Sequence, residues 1–221
     1  MTDHTWGEQE TIVRSAEVGV EIKEFFCSKC NAKKLEVSTL GNPFTDVKEG
    51  KYYYSPVLWA YYHEPRITSG ASETTFGPKD TCTRAQIVTF LWHAMGDPEP
   101  VSIESPFTDV KSNKYYYKPV LWAVENGITS GVGEGKFGVK QPCTRAQAMT
   151  FLWIAVGKPE PTIEENPFPN DVKPNKYYYK PILWAVENGI TTGIGEEKFG
   201  VSQPCTRAQI VTFLYKALTN R

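Results

Sequence analysis

The sequence predicts a mainly α fold: a pseudo-threefold helical bundle of three two-helix lobes, preceded by a small N-terminal β-hairpin module. Three observations predict it. A unit of about 55 residues occurs three times in succession. Each copy contains the same helix-start signature, C-T-R-A-Q, followed by an apolar run. The first forty residues instead alternate apolar and polar side chains, the period of a strand.

The chain has 221 residues, 40% hydrophobic and 13% aromatic, with a net charge of −1. That suffices for one sizeable core, or for a core plus a small appendage. A near-neutral chain without Lys/Arg runs does not read as a nucleic-acid binder. No apolar stretch reaches the roughly 18–20 residues of a membrane span. The opening "MTDHTWGEQE" is polar and acidic rather than a secretory leader, so either the protein stays in the cell or the chain is a mature piece.

Residues 1–42 form the predicted β module. "VGVEIKEFFC" and "KKLEVSTL" alternate, and Cys27 and Cys30 form a C-x-x-C pair at the hairpin tip, a half-site for structural zinc. His4, Cys27 and Cys30 give at most three ligands where a closed site takes four; a Cys27–Cys30 disulfide and free thiols are the alternatives. At about forty residues the module needs a staple or a docking surface to be stable.

The repeats follow at 43–97, 105–158 and 166–221. Each reads F-x-D-V (F-P-N-D-V in the third), K-Y-Y-Y, P-[VI]-L-W-A, I-T-[ST]-G, F-G and C-T-R-A-Q. The first helix covers "SPVLWAYYH", "KPVLWAVEN" and "KPILWAVEN", with Pro56, Pro119 and Pro181 in the first turn and Gly127 and Gly189 past the end. The first copy departs, with "HEPRIT" in place of "NGIT". The second helix starts at Thr83, Thr144 or Thr206 as N-cap, with Gln86, Gln147 or Gln209 completing a capping box. Cys82, Cys143 and Cys205 precede the caps, where each meets Ile87, Ala148 or Ile210 as a hydrophobic staple. "IVTFLWHAM", "AMTFLWIAV" and "IVTFLYKAL" are apolar nearly all round, which predicts helices buried against several neighbours. A Gly-rich turn around one phenylalanine joins the two helices, and "GDPEPVSIESP" and "GKPEPTIEENP" read as extended surface linkers. Three such units bury their apolar faces only by packing together.

F-x-D-V, W-A, G-I-T-x-G, F and T-R-A-[EQ] before an apolar helix resemble the S-layer homology domain over about 43–221. The resemblance implies a three-lobed helical bundle without catalytic function. It also implies an extracellular, cell-surface location and non-covalent anchoring to secondary cell-wall polysaccharides of Gram-positive walls, often through pyruvylated amino sugars. The family's T-R-A-E arginine meets the acidic sugar, which makes Arg84, Arg145 and Arg207 the binding arginines. The N-terminal H-x-W…C-x-x-C-x-A-x-K pattern resembles tandem repeats of clostridial surface proteins, with Ser15 where those often carry an earlier cysteine.

A physical reading runs beside the resemblance. A helix start offers unpaired N–H groups and partial positive charge, and arginine adds a two-pronged fork for a carboxylate. The candidate ligand-binding set is Arg84, Arg145 and Arg207, Gln86, Gln147 and Gln209, Gly70, Gly131 and Gly193 (close backbone approach), and Trp59, Trp122 and Trp184 (aromatic area). The competing readings are inter-lobe salt bridges from the arginines to Asp46, Asp109 or Asp171, and core packing for the tryptophans at the contact between a copy's two helices. One tyrosine of each Tyr-Tyr-Tyr run is expected to be buried and one exposed. The F-x-D-V aspartates are expected to cap the turn into the next segment. No catalytic set emerges, since His4, His63 and His93 do not recur with the repeat. The alternative function is a structural protein that self-assembles as a homo-oligomer into a layer or filament. A weaker third reading is the accessory module of a hydrolase.

Overall fold

The computed structural model describes residues 4–7, 10–15, 20–30, 32–195 and 197–219. The N-terminal module is a three-stranded antiparallel meander, β1 (Glu10–Ser15), β2 (Val20–Phe26) and β3 (Lys33–Thr39), in the order β1-β2-β3. The expected hairpin is thus joined by a further strand. Val20 faces Thr39 and Phe26 faces Lys33 across the β2–β3 pair. Every residue of β3, the edge strand of the sheet, is exposed. The side chain of Ser15 lies outside the described residues.

Six helices follow: α1 (Tyr54–Tyr62), α2 (Arg84–Ala94), α3 (Tyr117–Glu125), α4 (Arg145–Ala155), α5 (Tyr179–Glu187) and α6 (Arg207–Thr219). The capping box forms at every second helix. Thr83, Thr144 and Thr206 accept from the N–H of Gln86, Gln147 and Gln209, and each glutamine side chain accepts from the N–H of its threonine in return. α2, α4 and α6 contact one another pairwise and form the middle of the bundle. Ile87, Ala148 and Ile210 are buried there together with the three cysteines, in one core.

The outer helices interlock the copies. α3 packs on α2, α5 on α4, and α1 on α6. The extensive helix pairs therefore join consecutive copies, and the pair α1–α6 joins the last copy to the first. Trp59 meets Tyr215 edge-on at 5.6 Å in that closing contact. The sequence places the tryptophans at the contact inside a copy; the structure places Trp59 between copies, on the pair α1–α6, and the matching pairs α3–α2 and α5–α4 carry Trp122 and Trp184 on α3 and α5.

The cysteines close the ring through their backbones. The N–H of Cys82 donates to the carbonyl of Cys205 (2.9 Å), that of Cys143 to Cys82 (2.9 Å) and that of Cys205 to Cys143 (2.8 Å). A three-membered cycle of hydrogen bonds thereby satisfies all six groups on the pseudo-threefold axis. The thiols are fully buried, which pushes those of Cys82 and Cys205 up to about 12 and that of Cys143 well above its ordinary value.

Each lobe is braced by its F-x-D-V aspartate. Asp46 accepts from the N–H groups of Phe76 and Gly77, Asp109 from Phe137, Gly138 and Val139, and Asp171 from Phe199, Gly200 and Val201. The carboxylates hold the turn some thirty residues on, not the adjoining segment that the sequence suggested. A carboxylate taking two or three N–H bonds is strongly held, which explains the reach.

Candidate functional site

Arg84, Arg145 and Arg207 begin α2, α4 and α6 and are only 2–4% exposed. Each reaches into the next copy of the ring. Arg84 donates through Nε to the Phe137 carbonyl (2.9 Å) and through Nη2 to Thr129 Oγ1 (3.1 Å). Arg145 does so to Phe199 (2.8 Å) and Thr191 (3.1 Å), and Arg207 to Phe76 (2.9 Å) and Thr68 (3.4 Å). Each guanidinium lies against two phenylalanine rings, as Arg145 does at 4.6 Å from Phe199 and 5.5 Å from Phe213.

These arginines thus have an inter-lobe structural task, and it is not the anticipated salt bridge. Asp46, Asp109 and Asp171 spend their oxygens on backbone N–H groups, and the ion pairs among the described residues all lie elsewhere. Three positive charges are therefore held by neutral acceptors. Burial pulls each guanidinium below its ordinary pKa, and each remains charged at neutral pH.

The helix starts differ from expectation in one respect. Their first N–H groups are already taken, so the backbone does not form an open anion cradle. The N–H of Arg84 donates to the Gln141 carbonyl, that of Arg145 to Gln203 and that of Arg207 to Asp80; Ala146 and Ala208 likewise donate to Val201 and Pro78. What remains for an anion is the arginine side chain and the helix field.

Arg84 lies at the wall of a groove of about 720 Å³ that also includes Thr129, Gly131, Gln147, Phe151 and Tyr177. Arg207 lines a groove of about 540 Å³ with Thr68, Gly70, Gln86, Phe90 and Tyr115. Both draw on all three copies. The counterparts around Arg145 are Thr191, Gly193, Gln209, Phe213 and Tyr52 by repeat symmetry. The Arg207 groove differs, because "HEPRIT" contributes Arg66 to it and Asp80 and His93 stand in its wall. The irregular loop of the first copy thus alters the groove of the last arginine, not of the first.

Other candidates fall into place. Tyr52, Tyr115 and Tyr177, the first of each run, are 62% exposed, and the other two of each run are half-buried rather than one being fully buried. Partial burial raises their hydroxyl pKa values, so they remain donors at neutral pH. Trp59, Trp122 and Trp184 are 5–6% exposed, belong to the core and line neither groove. Gly70, Gly131 and Gly193 sit at φ of +92°, +87° and +81°. A Cβ on Gly131 would lie 2.5 Å from the Lys136 carbonyl and 2.6 Å from the Phe107 ring, so the close approach is by the lobe's own phenylalanine. The threonines Thr68, Thr129 and Thr191 were not singled out from sequence. Their signal was the I-T-[ST]-G motif present in every copy.

In the β module, His4, Cys27 and Cys30 bring their donor atoms within 4.8 Å of one another. Cys27 and Cys30 are free thiols.

Comparison with known proteins agrees with this architecture. The family model described as "S-layer homology domain" matches residues 43–88, 106–149 and 170–211. A cell surface protein of Thermoanaerobacter kivui is 37% identical over 52% of the chain and 15% of its own length. An endoglucanase of Bacillus sp. (strain KSM-635) is 33% identical over 57% of the chain and 13% of its own length. The surface-layer 125 kDa protein of Lysinibacillus sphaericus is 28% identical over 70% of the chain and 13% of its own length. The chain thus spans about one seventh of each relative. Among the described residues no helix is long and apolar enough to cross a membrane. Three interlocked copies, each with its aspartate brace, capped helix and buried arginine, together with the family match over more than half of the chain, make this protein a member of the S-layer homology domain family, the non-catalytic cell-wall anchoring modules of surface proteins.

Proposed function

We propose that this chain anchors a cell-surface protein by binding an acidic secondary cell-wall polysaccharide, pyruvylated or otherwise carboxylated, in the inter-lobe grooves. One observation supports the reading: Arg84 and Arg207 each hold a buried positive charge hydrogen-bonded to neutral acceptors, at a groove fronted by an exposed tyrosine, and repeat symmetry gives Arg145 the same surroundings. An acidic sugar would supply the missing counter-charge through the guanidinium fork. The tyrosine ring offers the flat apolar face on which a sugar ring packs. Three such grooves reading one repetitive polymer gain by avidity, so each site is effective at modest affinity.

The test uses purified wall sacculi with and without their secondary polymer. Binding is expected to intact sacculi and to be lost on stripped ones. Replacing Tyr52, Tyr115 and Tyr177 together by alanine should weaken pull-down at least tenfold with an unchanged helical circular dichroism spectrum. Equal binding to stripped sacculi, or full binding by the triple tyrosine variant, would sink the groove reading. A second reading, self-assembly into a layer, is favoured by the open edge of β3, where Leu35 and Val37 are 60% and 66% exposed. Concentration-dependent light scattering in the absence of polymer tests it; a monomer at all concentrations ends it.

A further inference from the structure

We propose that His4, Cys27 and Cys30 bind one zinc ion through two thiolates and an imidazole, with the fourth coordination position open to solvent. The donors come from segments far apart in sequence and are brought together by backbone pairing. Trp6 and Cys27 form an isolated antiparallel bridge, in which the N–H of Gly7 donates to the Phe26 carbonyl (2.8 Å). The N–H of Ser28 donates to the Thr5 carbonyl (2.9 Å), so the three residues that follow His4 are pinned to the C-x-x-C turn. Cys30 Sγ then lies 3.2 Å from His4 Nδ1, and the Trp6 ring flanks the imidazole at 5.2 Å.

The turn itself has the features of a thiolate knuckle. The N–H of Cys27 donates to the Ala32 carbonyl (2.8 Å), which folds the loop back on itself. The N–H of Lys29 donates to Cys27 Sγ (3.4 Å). That bond turns the Cys27 sulfur into an acceptor held at the mouth of the turn. Two thiolates and a neutral imidazole balance the +2 charge. Bond lengths of about 2.3 Å to sulfur and about 2.0 Å to nitrogen give tetrahedral edges of roughly 3.5–3.8 Å, so donors within 4.8 Å need close in by only about 1 Å. Soft sulfur donors select zinc over magnesium or calcium.

β3 is exposed along its whole length, so the sheet has no covering layer on that strand. A metal that joins the N-terminal segment to the end of β2 supplies the cross-link that a domain of this size requires.

The experiment uses the full chain, reduced and stripped with a chelator, titrated with Co²⁺ and then with Zn²⁺. One equivalent of Co²⁺ should give thiolate-to-metal charge-transfer absorption and intense tetrahedral d–d bands, and one equivalent of Zn²⁺ should abolish both. Cys30→Ser should remove the charge-transfer signature. His4→Ala, which alters no sheet residue, should weaken binding at least tenfold. Saturation with Zn²⁺ should slow proteolysis between residues 10 and 39 at least fivefold. Absence of the bands in the reduced chain, their persistence in a Cys27→Ser/Cys30→Ser variant, or a Cys27–Cys30 disulfide forming in air at saturating Zn²⁺ would each overturn the site.

Discussion

Replacing Arg145 by methionine keeps most of the side-chain volume and removes the fork. Two bonds are lost, to the Phe199 carbonyl (2.8 Å) and Thr191 Oγ1 (3.1 Å), together with the stacking on Phe199 and Phe213. Bonds from a charged donor contribute about 1.5–3 kcal/mol each, and a carbonyl left without a partner costs a similar amount. Against this, the substitution relieves the desolvation of a charge that is 3% exposed and forms no ion pair among the described residues, which returns a few kcal/mol. The net expectation is a loss of about 2–4 kcal/mol. For a chain of this size that is a fall in Tm of roughly 6–12 °C. Arg145→Lys keeps the charge and at most one of the bonds, and should fall about half as far. Thermal unfolding followed by helical circular dichroism, with urea unfolding as a cross-check, measures both. A methionine variant within about 1 °C of the parent would refute the inter-lobe clamp and return the arginine to a role in binding alone.

Other expectations follow from the same bonds. Asp109 has its pKa lowered: burial opposes the shift, but the N–H groups of Phe137, Val139 and Gly138 outweigh it. A carboxylate with a depressed folded pKa contributes stability above its unfolded value of about 4, and that contribution is lost as pH falls through the folded pKa. Asp109→Asn should therefore destabilise by about 1–3 kcal/mol at pH 7 and flatten the pH dependence of urea unfolding below about pH 4; an unchanged acid limb counts against the brace. Gly131→Ala meets both a φ of +87° and contacts under 3 Å, and should cost at least about 2 kcal/mol in urea unfolding; a neutral result would show that the loop relaxes freely. Cys82, Cys143 and Cys205 should resist a thiol reagent at pH 8 until the bundle unfolds, while exposed Cys30 reacts at once in metal-free protein; early labelling of any axial cysteine would show the ring to be open.

What could be read from sequence was what is local. The capping box needs only Thr83 and Gln86, three residues apart, and it forms as written in all three copies. The burial of α2, α4 and α6 followed from their uninterrupted apolar runs. The partner of Arg207 was a different matter, since its Nε bond spans 131 residues to Phe76 and exists only because the last copy closes on the first. The same closure makes the helix N–H groups unavailable: their acceptors, the carbonyls of Gln141, Gln203 and Asp80, belong to neighbouring copies. The tryptophans were legible as apolar area but not as inter-copy contacts, because no periodicity tells which of two helices a ring will face. The aspartates' reach of about thirty residues was hidden for the same reason.

The interlocking changes what the arginine means. In a linear array of self-sufficient lobes, the arginine of T-R-A-Q could be a surface group dedicated to ligand. Here each one is bonded into the following copy, packed between two phenylalanines of that same copy and fronted by a tyrosine of the third where Tyr177 and Tyr115 line the grooves. The site and the lobe contact are one object. Structural need alone does not explain the choice of residue, because a neutral donor such as glutamine would serve a carbonyl and a hydroxyl without the desolvation of a charge. On the proposed reading, the acidic polymer supplies the counter-charge for a positive charge present three times without a carboxylate in ion-pair reach. The fold then has a reason to be three copies and not two: a groove made from one arginine, the next copy's turn and the third copy's tyrosine needs all three, and the closing contact of α1 with α6 supplies the last of them.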